Sequence, residues 1–303
     1  MNKRFFLALL AAALSAAPVD ARLWALRDGD DVVISLDQTC PGVTYDVLRA
    51  TATSGPWTVI GTTTGSFRDL GAVPGPPVNP PLYFYRYRPQ VPPSCPLRLN
   101  TVIKINIPLV EDAIAPAGNR VSLPYRYFPD GNLGHWPQTA RDLCQANPGV
   151  ESVERWSADG CYDRRKHLCR YPTAGFDLLP GEGFVVRVST PATLDLVGAH
   201  DDDYAANKAG LNRVDLPACA SCPSPGRRLV SVPYHAWAMT AEEVCTEVER
   251  SGGDLVAVEE YRPDVDTFVR HPCGTGIDDF PLTAGRAYAL EIAADGWWSP
   301  DVY

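Results

Sequence analysis

The chain has 303 residues, of which 27 are Lys or Arg and 36 are Asp or Glu, for a net charge of −9. The basic residues form no stripe, so the composition argues against a phosphate-binding surface and against a nucleic-acid partner. The 29 prolines and 24 glycines imply many turns and extended segments, and they predict a mainly β fold with minor α.

The first 21 residues have the pattern of a secretory signal peptide. Lys3 and Arg4 precede an apolar run at 5–17, and small residues follow at 19–21. That run is shorter than the roughly 20 apolar residues that a membrane span needs. We therefore expect 1–21 to be a cleaved signal peptide on a protein that is secreted or enters the cell envelope and does not span a membrane.

The segment 22–99 is the first predicted domain. Short runs of alternating polar and apolar residues are separated by turn-rich stretches, which is the pattern of a β-sandwich. The runs are VVISL (32–36), TYDVLRA (44–50), WTVIG (57–61), SFRDLG (66–71) and YFYRYRP (83–89).

These runs resemble the fibronectin type III family, with VVISL as the second strand, TYDVLRA as the third and YFYRYRP as the sixth. The Trp usual on the second strand is absent, so we expect Trp24 or Trp57 to fill that part of the core. The resemblance implies a spacer or protein-binding module without catalysis. It also brings the loop with Cys40 and the segment with Cys95 to one end of the sandwich, and so implies a Cys40–Cys95 disulfide.

Two later segments match each other block by block, and they predict two small α+β repeat units at 100–205 and 229–303. The first unit carries VSLPY, TARDLC, VERW and FDLLPGEGFVVRV, and the second carries VSVPY, TAEEVC, VEEY and FPLTAGRAYALEI in the same order. The arrangement resembles repeats that accompany fibronectin type III modules in uncharacterised exported bacterial proteins, a resemblance that implies an architecture and no activity.

Each block has a physical interpretation. TARDLC and TAEEVC begin with the Thr and acid of a helical capping box, and VERW and GFVVRV alternate as strands. The turn before GFVVRV contains GEG, but a strand follows it, so a phosphate-binding loop is excluded. Gly181 is matched by Gly285, and we expect Gly181 to have a positive φ at a hairpin corner.

Nine cysteines in an exported chain favour disulfides over metal ligands. Each repeat has one Cys on the buried helix face and one before the Phe strand, so we pair Cys144 with Cys169 and Cys245 with Cys273. These disulfides would stabilise two units whose hydrophobic cores are very small.

A CxxC motif, Cys219 to Cys222, lies in the segment 206–228 that links the repeats. The prolines on both sides, with no following helix pattern, favour a linker disulfide over a redox dithiol or zinc site. Cys161 is then the odd thiol, although it could instead pair with one of the linker cysteines.

Three acids, Asp201, Asp202 and Asp203, offer the oxygen ligands that calcium prefers. They lack the alternating spacing and glycine of a calcium loop, so we interpret them as a solvated acidic turn. The sequence has no HExxH and no GxSxG motif. We expect no cofactor and no catalytic residue.

Four tryptophans are the candidate binding residues, because loop aromatics often contact sugars or proteins. They are Trp136, Trp237, Trp297 and Trp298. We therefore expect a non-catalytic binding, adhesion or structural role toward protein or glycan at the cell surface. The alternative is a secreted hydrolase, or an accessory subunit of one, with glycan-binding repeats.

Overall fold

The structure is a computed structural model. It describes residues 23–36, 39–92, 101–114, 118–123, 139–156, 164–178, 181–199, 214–218, 226–232, 240–298 and 300. The described residues form antiparallel sheets with two short helices, which confirms the prediction of a mainly β fold with minor α.

Eighteen strands are described, named here in chain order. They are β1 (Leu23–Asp28), β2 (Asp31–Leu36), β3 (Tyr45–Ala50), β4 (Thr58–Thr63), β5 (Ser66–Asp69), β6 (Leu82–Pro89), β7 (Val102–Leu109), β8 (Asn119–Ser122), β9 (Ser152–Trp156), β10 (Arg164–Leu168), β11 (Gly183–Arg187), β12 (Ala192–Ala199), β13 (Val214–Leu216), β14 (Gly226–Ser231), β15 (Asp254–Arg262), β16 (Thr267–Pro272), β17 (Ala287–Ala294) and β18 (Gly296–Trp298). The described helices are α1 (Ala140–Ala146) and α2 (Ala241–Arg250), and neither is long and apolar enough to cross a membrane.

The N-terminal strands form two sheets, in the orders β1-β2-β5 and β12-β7-β6-β3-β4. Apolar side chains that alternate along the strands, such as Val32 and Ile34 of β2 and Tyr45 and Val47 of β3, are fully buried. The Tyr87 hydroxyl on β6 donates to the Ile34 carbonyl at 3.0 Å and so joins the two sheets.

Two strands of this arrangement come from the segment 100–205 that the sequence assigned to the first repeat unit. β7 pairs with β6 on one side and along its whole length with β12 on the other. Leu194 and Leu196 of β12 belong to a hydrophobic core that contains both the sandwich side chains and those of the first unit. The sandwich and the first unit therefore share one core.

The two repeat segments have the same topology. Unit 1 has the sheet order β10-β9-β11-β8 with α1, and unit 2 has the order β16-β15-β17-β14 with α2. Both helices begin with the predicted capping box, in which Thr139 and Thr240 are the N-caps. Inward-facing residues of the matched strands β11 and β17, such as Phe184 and Tyr288, are buried.

A disulfide closes each unit, with the pairing predicted from the repeat. Cys144 bonds to Cys169 and Cys245 bonds to Cys273, with Cα atoms 5.4 and 5.6 Å apart. Cys40 is also disulfide-bonded, and its predicted partner Cys95 lies outside the described residues. Free cysteines are absent from the part of the chain that the structure describes. The predictions for residues 1–21, Cys161, Cys219 and Cys222 also concern residues outside it.

The two units meet through their edge strands in a nearly symmetric way. The Ser122 amide of unit 1 donates to the Gly285 carbonyl of unit 2 at 2.8 Å, and the matched Ser231 amide donates to the Gly181 carbonyl at 3.0 Å. Gly181 has φ +79° and Gly285 has φ +85°, which confirms the predicted positive φ at this corner.

The sheet faces that point away from the helices pack against each other. A small apolar cluster joins the units, formed by Trp156, Val185, Leu229, Ala287 and Ala289. A Cβ atom added to Gly183 would lie only 2.4 Å from the Ala287 Cβ, so the sheets approach too closely there for any side chain.

Charged side chains are buried in the same interface. Glu259 of β15 accepts from Arg120 of β8 at 3.1 Å and also pairs with Arg227 of β14. Glu182 pairs with Arg155 at 2.8 Å and with Arg228 at 3.2 Å. Each carboxylate therefore lies between arginines of both units. Removing a carboxylate would leave buried guanidinium groups without their shared counter-charge.

Lys104 of β7 is fully buried, and its Nζ donates to the Pro80 carbonyl at 3.0 Å and lies 5.2 Å from the centre of the Tyr83 ring. Burial lowers the pKa of Lys104 from 10.5 to about 8, against the opposing attraction of Asp195. The folded state therefore holds this proton less tightly than the unfolded chain.

We predict that Lys104→Met raises the free energy of unfolding by about 1 kcal/mol at pH 7, since it removes the cost of a buried charge. Between pH 8 and 10.5 the unfolded chain binds more protons than the folded chain, so the wild type gains stability as pH rises. The advantage of the variant should shrink accordingly. Urea unfolding of both proteins at pH 7, 8.5 and 10 measures the difference in their free energies of unfolding. A difference that does not change with pH contradicts the prediction.

Candidate binding site

The structure describes two of the four candidate binding tryptophans. Trp298 is fully buried, and its indole Nε1 donates to Glu247 Oε2 at 3.1 Å. The prediction that Trp298 is a binding residue is therefore wrong, because β18 pairs with β13 and turns this side chain into the core of unit 2. Trp297 is partly exposed, whereas Trp136 and Trp237 lie outside the described residues, as do Asp201, Asp202 and Asp203.

We predict that Trp298→Phe lowers the free energy of unfolding by about 2 kcal/mol, because it removes packing volume and a hydrogen bond to a buried carboxylate. The matched control is Trp297→Phe, which should change stability by less than about 0.5 kcal/mol. Chemical unfolding of the two variants side by side measures the difference. Equal effects would show that Trp298 does not fill the core as described.

A groove beside the disulfide of unit 1 has a volume of about 830 Å³. Its walls come from α1, from the turn that follows α1 and from the segment after β10. The side chains that matter for recognition are Arg141, Gln145, Glu151, Arg170 and Tyr171. A concave site of this size is large enough for a small ligand.

The groove is basic and aromatic. Tyr171 is 49% exposed, and the Arg170 guanidinium carbon lies 5.1 Å from the centre of its ring. Arg170 also donates to the Tyr171 hydroxyl at 3.3 Å. Within the described residues, no carboxylate lies within ion-pair distance of Arg141 or Arg170. These two charges are therefore available to an anion from outside.

Unit 2 fills the corresponding position with its own carboxylate. Glu242 occupies the helix position of Arg141, and its Oε2 lies 2.5 Å from Nε2 of the buried His271. The Gly274 amide donates to the same oxygen at 3.1 Å. The other ring nitrogen, Nδ1, lies 2.8 Å from the Ile277 carbonyl. This network ties α2 to the segment after β16.

Unit 1 keeps the histidine but lacks the acid. His167 and His271 each precede the second Cys of their unit by two residues, and both are buried. His167 Nε2 is buried without a hydrogen-bond partner among the described residues. The sequence contains this match in HLC and HPC, but the capping and strand patterns alone did not draw attention to it.

One cluster of potential metal ligands among the described residues of unit 2 loses its cysteine to the disulfide. Glu242, Cys245 and His271 have ligand atoms within 4.8 Å of one another. Cys245, however, is bonded to Cys273 and has no thiolate to offer. The cluster is therefore a structural contact between the helix and the sheet.

The described lining of the groove lacks an acid–base pair. Glu151 is its one carboxylate, and no histidine lines it. Hydrolysis of a glycosidic bond usually needs two carboxyl groups that flank the bond. The buried acids Glu182 and Glu259 lie instead in the interface, where arginines neutralise them. The described lining of the groove therefore offers one carboxyl group and no second one to flank such a bond.

A second cavity, of about 550 Å³, lies between the sandwich and unit 2. Its walls are mostly apolar and include Leu82, Ile105, Ile107 and Ala284. Arg286, at its edge, is already paired with Glu260 at 2.8 Å. The groove of unit 1 offers more polar groups for recognition.

Comparison with known proteins does not identify the chain, since no family model and no curated protein matches it.

Proposed function

We propose that this chain is an exported modular protein with a non-catalytic binding, adhesion or structural role at the cell surface or outside the cell. The two disulfides support export, because such bonds persist in oxidising compartments and are rare in the cytosol. The signal-peptide pattern of residues 1–21 supports it independently.

The modules proposed are a fibronectin type III-like sandwich followed by two repeat units. The first, second and fifth strands form one sheet, and the third, sixth and seventh lie in the other. Greek-key sandwiches of the immunoglobulin type divide their strands in this way, which supports the interpretation. The shared topology of the two units supports a duplication.

The observation that carries the binding function is the groove of unit 1. It is lined by an exposed tyrosine and by two arginines that have no ion-pair partner among the described residues, and its described lining has no acid–base pair. The matched position in unit 2 is closed by Glu242 and His271. One scaffold has therefore diverged into an open unit and a closed unit, which is typical of a binding module that varies its loops.

The test is a binding screen of the chain without residues 1–21 against an array of glycans and against extracts of cell-surface material. The same preparation is incubated with generic ester and glycoside substrates. We expect saturable binding to at least one ligand and no turnover. Turnover of either substrate without any binding would overturn the proposal in favour of a secreted hydrolase.

A further inference from the structure

We propose that the groove of unit 1 binds an acidic saccharide, whose carboxylate pairs with the arginines that line the groove where unit 2 has the carboxylate of Glu242. The inference rests on the proposed binding function and assigns it a chemical class of ligand. It follows from three features: the internal carboxylate of unit 2, the charge of the groove and the exposed tyrosine.

Unit 2 shows which group the shared scaffold holds at this place. The Glu242 carboxylate accepts hydrogen bonds from the Gly274 amide and contacts Nε2 of His271. The matched residues in unit 1 are Arg170 and His167. The His167 side chain is buried, and its Nε2 has no hydrogen-bond partner among the described residues. The scaffold that holds a carboxylate in unit 2 therefore lacks one in unit 1.

The change from Glu242 to Arg141 reverses the charge at that point. Arg141 and Arg170 have no carboxylate partner in the described part of the chain. Guanidinium groups form short, charge-assisted and often bidentate hydrogen bonds with carboxylates. A carboxylate from a ligand is the group that best satisfies both arginines.

The remaining lining suits a sugar. Tyr171 is half exposed and offers an aromatic surface against which the C–H face of a pyranose can pack. Gln145 and Glu151, both exposed in the groove, offer acceptors to sugar hydroxyl groups. Glu151 also repels dense polyanions such as nucleic acid. An acidic sugar with one charge per residue fits this combination.

The experiment titrates the chain lacking residues 1–21 with a galacturonic acid hexamer, with the same hexamer as its methyl ester, and with an oligoglutamate of equal charge. Isothermal calorimetry at low and at moderate salt measures the affinities. We expect the acid hexamer to bind at least tenfold more tightly than its neutral ester and than the peptide. Equal affinity for acid and ester would overturn the carboxylate assignment, and equal affinity for hexamer and peptide would overturn the saccharide assignment.

Variants locate the site. Arg170→Gln should weaken binding of the acid hexamer about tenfold, which is the loss of one charged hydrogen bond. Arg165→Gln, an exposed arginine of β10 that does not line the groove, is the matched control and should change affinity less than about threefold. Tyr171→Ala should lower the affinity for the acid hexamer and for its methyl ester to the same extent, because the ring packs against the sugar in both. If Arg165→Gln and Arg170→Gln lower the affinity for the acid hexamer equally, the binding is unspecific charge attraction and the proposal is wrong.

Arg141→Glu is the most direct variant, because it installs in unit 1 the carboxylate that unit 2 already has. We expect it to abolish binding of the acid hexamer and to raise the thermal midpoint, whereas Arg141→Gln should weaken binding without that gain. If Arg141→Glu lowers the midpoint, the correspondence between the units does not extend to this site. A different result would separate the two proposals. If the hexamer does not bind, but another ligand of the array binds and Arg170→Gln weakens that binding, the acidic-saccharide assignment is wrong and the proposed binding function stands.

Discussion

Glu259→Gln is expected to lower the free energy of unfolding by about 3–5 kcal/mol, which is the usual loss when one partner of a buried ion pair is removed. The Glu259 side chain is 9% exposed and the Arg120 side chain 5%. Arg120 also lies 4.8 Å from the Phe268 ring and 5.3 Å from the Trp156 ring, so little water reaches it. The glutamine keeps the shape of the side chain and removes the charge between Arg120 and Arg227.

The control is Glu291→Gln in the same unit. Glu291 pairs with Arg270 at 2.7 Å, but the arginine side chain is 42% exposed. Exposed pairs contribute at most about 1 kcal/mol, so this variant should stay close to the wild type. Urea unfolding followed by tryptophan fluorescence compares the two variants. A loss below 1 kcal/mol for Glu259→Gln contradicts the buried interface between the units.

Replacing both Cys245 and Cys273 by Ser is expected to cost about 3–4 kcal/mol, from the chain entropy released by a closed loop of this length. The bonded residues are 28 apart in the sequence. The described core of unit 2 is small, since it is formed by one short helix, a four-stranded sheet and the two-stranded β13–β18 sheet. The unit should lose its cooperative unfolding transition well before the sandwich does.

Native-state amide exchange measures this effect unit by unit. In the double variant, we expect faster exchange in α2 and β15 and little change in β2, β3 and β6 of the sandwich. The matched variant with Cys144 and Cys169 replaced should behave differently, because unit 1 shares its core with the sandwich. Uniform acceleration over the whole chain in both variants would contradict two separately stapled units.

Local patterns of the sequence predicted the elements well. The capping boxes at Thr139 and Thr240, the alternating strands and the positive φ of Gly181 follow from short-range chemistry, and the structure has each of them. The two repeat disulfides follow from the repeat, because the duplicated blocks place one cysteine on each helix face. Such features depend on neighbours in the chain and can be inferred from it.

The interface between the units could not be predicted in this way. Arg120 and Glu259 are charged residues within strands, and Glu182 directly precedes β11; charged side chains at such positions ordinarily indicate a solvent-facing side. They are buried because a second sheet covers that side. The burial of Trp298 could not be predicted for a related reason, since its pairing partner in the sheet, Val214, lies 84 residues away in the sequence. Both facts depend on long-range contacts that periodicity does not report.

The candidate site combines local and distant information. The sequence contains HLC and HPC at matched places, yet the exchange of Glu242 for Arg141 acquires meaning only when His271 is seen against Glu242. The aromatic residue favoured here, Tyr171, was not among the predicted binding residues. It lies just after β10, a strand that the repeat alignment did not identify.

The central claim is that the groove of unit 1 holds a ligand without changing it. Chemical-shift mapping of the ¹⁵N-labelled chain with the galacturonic acid hexamer tests this directly, with the sugar resonances recorded in the same sample over a day. We predict shifts concentrated on Gln145, Glu151, Arg170 and Tyr171, with the hexamer intact. Shifts confined to other parts of the chain, or shorter sugars in the sample, would contradict the claim.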